Sequence, residues 1–245
     1  MKRFNFHELV WFIILSGFTF YFYYLFYTGK IAMYIAPRMM LYVKFSVGVF
    51  LILSLYQFTK IFTVQTRNKI NKSYILLWTT LVIGMTSSQM ELTSSIADKR
   101  GVNININRSV SMGTSNEDIY DEVLIEFNDD NYLERLYSIE ENIEKYKGKR
   151  VCISGFVFKD KGLNQGEFVV GRMVMTCCAA DSQIIGLVSK WEESENLKTD
   201  EWVRIEGVIE SILYKEPSGK EIELPAIKVE KLEKIDRPDN VYIYF

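Results

Sequence analysis

The chain has 245 residues, 48% of them hydrophobic, and a formal net charge of −2, enough for one large or two modest domains. The near-neutral total hides two different materials: residues 1–97 hold nine Lys/Arg (Lys2, Arg3, Lys30, Arg38, Lys44, Lys60, Arg67, Lys69, Lys72) against Glu8 and Glu91, which leaves 20 basic and 29 acidic residues for 98–245. A basic, apolar front joined to an acidic, polar back is the composition of a membrane anchor followed by a water-exposed domain, and such an acidic domain argues against nucleic acid as a partner, because phosphates recruit Lys/Arg-rich surfaces.

The anchor occupies residues 1–92. Residues 9–28 carry no charge, and about 20 residues at 1.5 Å rise cross a hydrocarbon core of roughly 30 Å. The run follows the basic start MKR but ends in YFYYLFY without a small-residue cleavage signature, so it reads as an uncleaved span rather than a signal peptide. Residues 39–58 form the second span, with Lys44 near its start able to snorkel to the headgroups, and the hairpin GKIAMYIAPR between them carries the Gly and Pro that end helices at a membrane surface. Residues 74–89, shorter and richer in Ser and Thr but uncharged, are the expected third span. The excess of Lys/Arg at the amino terminus and between spans two and three predicts that those segments are cytoplasmic. Three spans then place everything after about residue 90 outside; with two, the same bias would put it in the cytoplasm.

Residues 93–128 read as a linker, with a weakly alternating passage, SSIADKRGVNININ, that suits a short strand. The domain proper is expected over 129–245. Asp129 or Asp130 suits an N-cap for a helix to about Tyr146, with Leu133, Leu136, Tyr137, Ile139 and Ile143 inward and Glu140, Glu141 and Glu144 solvated. From Gly148 the period becomes two: Arg150–Phe158, Glu167–Cys177, Gln183–Trp191, Glu201–Tyr214 and Glu223–Ile235 are five strand candidates. Gly155 and Gly207 stand inside strands where a barrel must bend. The predicted fold is therefore membrane-anchored α + β: three transmembrane helices, then a helix and a small five-stranded OB-like β-barrel. A flat sheet or sandwich is the alternative.

The chemistry of the domain concentrates in RMVMTCCAADSQIIG, residues 172–186. Cysteine thiolates bind zinc and other soft metal ions, and Asp181, three residues past Cys178, adds an oxygen. Alternation along a strand sends Cys177 and Cys178 to opposite faces, so both reach one ion only if the strand ends or bulges there. Three readings stay open: small buried apolar residues among the Met stripe, a disulfide from Cys152 to one of the pair, or a metal or ligand site. Asp181 also suits a turn cap, and Arg172 a solvated strand residue or an anion clamp. The chain has one histidine, His7, which reads as an interfacial side chain. No nucleotide-binding Gly-rich loop, metalloprotease helix motif or nucleophile elbow is present. A Ser-His or Cys-His mechanism within the soluble domain of one chain is excluded, and the domain is not expected to be an enzyme.

Six segments, GKIAMYIAPR, LTSSIADKRGVN, YKGKRVCISGFVF, FVVGRMVMTCCAAD with IIGLV, DEWVRIEGVIE and PDNVYIY, together resemble the YcgQ-like family of bacterial membrane proteins. The resemblance implies a multi-pass protein of the bacterial cell membrane, with a hydrophobic anchor and a carboxy-terminal domain of uncharacterised function. It further implies a subunit of a two-component permease that pairs with a larger polytopic partner. Some relatives have a His at the position of Cys177, or a His-rich loop between the second and third spans; residues 59–73 here contain no His. The expected function is accordingly an accessory subunit of a permease, its outer β-domain contacting or gating the partner and handling a metal or metalloid ion through Cys177, Cys178 and Asp181, with Arg172 and Cys152 in support. The alternative is a stand-alone extracytoplasmic metal- or ligand-binding module tethered to the bilayer.

Overall fold

The computed structural model describes residues 5–62, 73–87, 123–159, 162–215, 221–238 and 240–244. The chain divides into two compact units: Met1–Glu91 with Cys177–Ala180, and Leu92–Thr176 with Asp181–Phe245.

The first unit is helical. α1 (Phe6–Tyr27) and α2 (Met40–Lys60) are joined by short 3₁₀ turns at Lys30–Met33 and Pro37–Met39; Pro37 opens the second, where its missing N–H costs nothing. α2 returns antiparallel to α1. Phe18 and Phe22 both stack on Phe50 with centroids 6.0 Å apart, and Ser16 Oγ meets Ser54 Oγ at 2.8 Å. α3 (Ser73–Ser87) runs parallel to α1, because Trp11 packs edge-on to Tyr74 while Tyr21, further along, donates its hydroxyl to Gly84 O at 2.9 Å. The outward faces are apolar and exposed: Leu41, Phe45, Ile52, Ile75 and Leu76 are each at least 65% accessible. Exposed apolar area on this scale marks a surface that meets lipid or protein.

Among the described residues two helices, Phe6–Tyr27 and Pro37–Lys60, are long and apolar enough to cross a membrane. The sequence predicts three spans; the third falls on α3, whose 15 described residues cover about 22 Å at 1.5 Å per residue against a core of roughly 30 Å, so two of the three predicted spans have spanning length among the described residues.

The second unit is a mixed seven-stranded sheet with a helix packed on it. Its strands are β1 (Leu124–Glu126), β2 (Arg150–Phe158), β3 (Glu167–Met175), β4 (Gln183–Lys190), β5 (Trp202–Lys215), β6 (Glu221–Lys234) and β7 (Tyr242–Tyr244). They lie in the order β1-β2-β5-β6-β4-β3-β7, and β2 also pairs with β3. All five predicted strands form within two residues of their expected starts. The sequence predicts five strands closed as a barrel; the structure shows a mixed seven-stranded sheet that also contains β1, parallel to β2, and β7, parallel to β3. At three residues each, they are too short to announce themselves by alternation. β1 lies inside the expected 93–128 linker, and the predicted strand within 94–107 falls outside the described residues.

Both expected strand glycines sit at close approaches. A Cβ on Gly155 would stand 2.5 Å from Gly171 O, and one on Gly207 2.2 Å from Lys228 O, where β5 and β6 shift register between Glu206 and Gly207. Buried Val, Ile and Leu from the strands, with Phe168, Ile125 and Ile243, form one core. α4 (Tyr132–Glu141) and the single turn α5 (Ile143–Tyr146) lay Leu133, Leu136, Ile139 and Tyr146 on it. The expected cap at Asp129 or Asp130 is corrected. Asn131 occupies the N-cap position without a side-chain cap bond; Asn128 Oδ1 accepts the amides of Asp130 and Asn131, and Asn131 Oδ1 accepts that of Asn128. This reciprocal turn orders the entry to the helix, and Asp129 is left to pair elsewhere.

Candidate metal centre

β3 was expected to reach Cys177, but it stops at Met175. The chain then leaves the ladder and turns through a short 3₁₀ segment, Ala179–Asp181. Thr176 N donates to Asp181 Oδ1 at 3.1 Å, closing the loop by the turn-capping contact the sequence suggested. Because the alternation of a strand no longer applies, Cys177 and Cys178 do not diverge: their sulfurs lie 3.8 Å apart. One ligand atom from each of Cys177, Cys178 and Asp181 falls within 4.8 Å of the others. Within the helical unit the cysteine backbone is also held by the hairpin: Ala36 N donates to Cys177 O at 3.0 Å, Ala179 N to Tyr34 O at 2.8 Å, and Ile35 bridges Cys178 in antiparallel fashion.

The spacing suits a tetrahedral ion. Two metal–sulfur bonds of about 2.3 Å at a tetrahedral angle hold their sulfurs ~3.8 Å apart. A disulfide instead requires roughly 2.05 Å. Both cysteines are half-buried, which corrects the reading of them as core residues and leaves the thiols within reach of solvent. Two thiolates and a carboxylate are three ligands, and zinc sites with three protein ligands keep a position open for exchange.

Cys152 and Arg172 stand elsewhere. Cys152 is 3% exposed on β2, where Arg204 Nε donates to its sulfur at 3.2 Å and Arg204 Nη2 pairs with Glu126 at 2.8 Å. The sulfur contact first, and Glu126 after it, raise the Arg204 guanidinium above its ordinary value. No cysteine pair is bridged among the described residues, so the expected Cys152 disulfide is absent there. Arg172, read from the sequence as a solvated strand residue or an anion clamp, is 6% exposed, which corrects the first reading. Its Nη2 pairs with Asp129 Oδ1 at 3.0 Å and donates to Asn240 O at 3.0 Å, and its guanidinium lies 5.2 Å from the Trp202 ring centroid. It clamps three segments of the domain. Beside it, Tyr132 is fully buried and donates to Ile185 O at 3.0 Å; burial drives its phenol well above the ordinary value, partly opposed by the Arg172 charge. Neither the hairpin contact nor this clamp has a local sequence signal, since each is made by residues far apart in the chain.

Two family models cover almost the whole chain: residues 10–103 match the DUF1980 N-terminal domain and residues 105–245 the DUF1980 C-terminal domain. The chain belongs to the DUF1980 family. It is also 28% identical over 120 residues to the UPF0703 protein YcgQ of Bacillus subtilis (strain 168), a match spanning 49% of this chain and 41% of that protein. The YcgQ-like resemblance carried by the CCAAD and hairpin segments is thereby confirmed. Among solved structures, a mitochondrial single-stranded DNA-binding protein from S. cerevisiae aligns with 37% of this chain and 98% of its own at 7% identity and a TM-score of 0.24. A small single-stranded DNA-binding protein from Streptomyces coelicolor aligns with 36% and 94% at 12% identity and a TM-score of 0.25. Likeness at this level assigns neither ligand nor partner.

Proposed function

We propose that this DUF1980 protein is a membrane-anchored accessory subunit of a permease, and that its Cys177–Cys178–Asp181 loop takes a zinc-like or softer metal ion on the outer side of the membrane. The observation that carries the metal reading is the 3.8 Å separation of the two sulfurs, the spacing of two thiolates on one tetrahedral ion. Half-burial and three ligands suit an ion that is received and passed on rather than locked in. The permease partner is what the family resemblance implies, and the exposed apolar faces of α2 and α3 offer it a surface within the bilayer.

The outer placement rests on three crossings. The up-down-up course of α1, α2 and α3 supports that reading, with the basic amino terminus and the Lys60–Lys72 segment on the cytoplasmic side. In the domain, the pairings β2–β3, β3–β4, β4–β6, β6–β5 and β5–β2 form a ring. This supports an OB-like barrel over residues 150–234, to which β1 and β7 are additions.

Metal analysis of the full-length chain purified in mild detergent tests the site: about one zinc per chain is expected, and none in Cys178→Ala. Affinity capture from the native membrane tests the partner. Metal without a co-purifying polytopic protein would favour a stand-alone tethered module, and a metal-free wild-type chain would remove the site.

A further inference from the structure

The anchor holds a second set of ligand-type side chains, away from the hairpin. His7 and Glu8 open α1, Gln57 stands in the last turn of α2, and Tyr74 in the first turn of α3. Ionisable and polar side chains gathered where three apolar helices meet are costly to bury unless they are paired or coordinated.

Each of the three helices contributes one part of an arrangement. Tyr74 OH hydrogen-bonds His7 Nε2, and its ring packs edge-on to the imidazole at 5.4 Å, which fixes the ring's orientation. Gln57 Nε2 donates to Glu8 Oε2 and to Glu8 O, which holds the carboxylate and turns its other oxygen toward the histidine. The outcome is His7 Nδ1 facing Glu8 Oε1 at 3.8 Å, too far for a hydrogen bond. Nδ1 is itself buried and makes no hydrogen bond, although buried polar atoms are rarely left so.

We infer that His7 Nδ1 and Glu8 Oε1 form a divalent-cation seat at this end of the anchor, oriented by Tyr74 and Gln57. Metal–nitrogen and metal–oxygen bonds of about 2.1 Å span up to ~4.2 Å between ligand atoms, so an ion fits between these two at an open angle. When Tyr74 accepts the Nε2 proton, Nδ1 keeps its lone pair, the tautomer a metal requires; a hydrogen bond to the second ring nitrogen is the usual support of a histidine ligand. Two protein ligands leave most of the coordination shell to water, which describes a weak, exchangeable station rather than a structural site. The inference is independent of the cysteine loop in its residues and rests on the proposed function only for its purpose, a cation handled at both ends of the helices.

Full-length protein in nanodiscs, with Cys177→Ser, Cys178→Ser and Asp181→Asn in place, isolates this seat. Equilibrium dialysis against Zn²⁺ should give one ion per chain, and X-ray absorption should show imidazole scattering. Because His7 is the one histidine in the sequence, that signal has a single source. His7→Gln should abolish binding. Glu8→Gln and Tyr74→Phe should each weaken it about 10- to 100-fold, as loss of a supporting group does, with helicity by circular dichroism unchanged. Zinc retention equal in the parent and in His7→Gln, or absent from both, would overturn the inference. Because the loop ligands are already removed, either result leaves the reading of the cysteine site standing.

Discussion

Arg172 and Asp129 meet at 3.0 Å in the β-domain, the arginine side chain 7% exposed and the aspartate 51%. The asymmetry decides what each contributes. Asp129 is solvated with or without its partner. Arg172 needs Asp129, Asn240 O and the Trp202 face together to offset its removal from water.

Arg172→Ala is therefore expected to destabilise the domain by about 2 kcal/mol or more, through lost charge-assisted hydrogen bonds and cation–π packing. Asp129→Ala should also destabilise, because it leaves a buried guanidinium short of a partner. The pair should be non-additive: the double variant should cost less than the two single losses combined. Denaturant unfolding followed by tryptophan fluorescence measures all three.

At the cysteine loop, metal affinity should fall steeply as pH is lowered. Thiolates are the ligands, so an ion that binds in acid must displace protons from the sulfurs. Competition titration with a chromophoric chelator at a series of pH values should show the affinity falling toward tenfold per pH unit for each thiol displaced. A pH-independent affinity would point away from thiolate ligation.

The Tyr132 phenol predicts a loss of stability in alkali. Its folded value lies above that of an ordinary phenol because burial penalises the phenolate, so the unfolded chain loses its proton first. The stabilisation is complete below pH ~10 and is lost as pH rises through the window above that value. Thermal melts across this range should show a falling alkaline limb that Tyr132→Phe flattens. The variant should itself lose about 1 kcal/mol at neutral pH, because Ile185 O loses its hydrogen bond.

Gly207→Ala should destabilise the domain by roughly 1–3 kcal/mol. Its Cβ would stand 2.2 Å from Lys228 O, a backbone atom that moves only with the β5–β6 ladder. Urea unfolding checks this, and a variant as stable as wild type would mean that the bulge at Glu206 and Gly207 relaxes freely.

Much of this molecule is local and hence legible in the chain. Period-two runs of Val, Ile and Phe fix five strands, because burial on alternate positions is a property of each segment, and apolar runs fix two helices of membrane length in the same way. Tertiary structure decided the rest. β1 and β7 exist only because β2 and β3 present edges to pair with, and Arg172, polar by type, is buried because Asp129, Asn240 and Trp202 come to it from distant segments. The cysteines show the division most clearly. Sequence places a thiol pair and a carboxylate within five residues, yet strand alternation would have parted the sulfurs. Only the end of the β3 ladder at Met175 and the Thr176–Asp181 turn bring them to 3.8 Å, because a backbone released from its ladder no longer has to alternate.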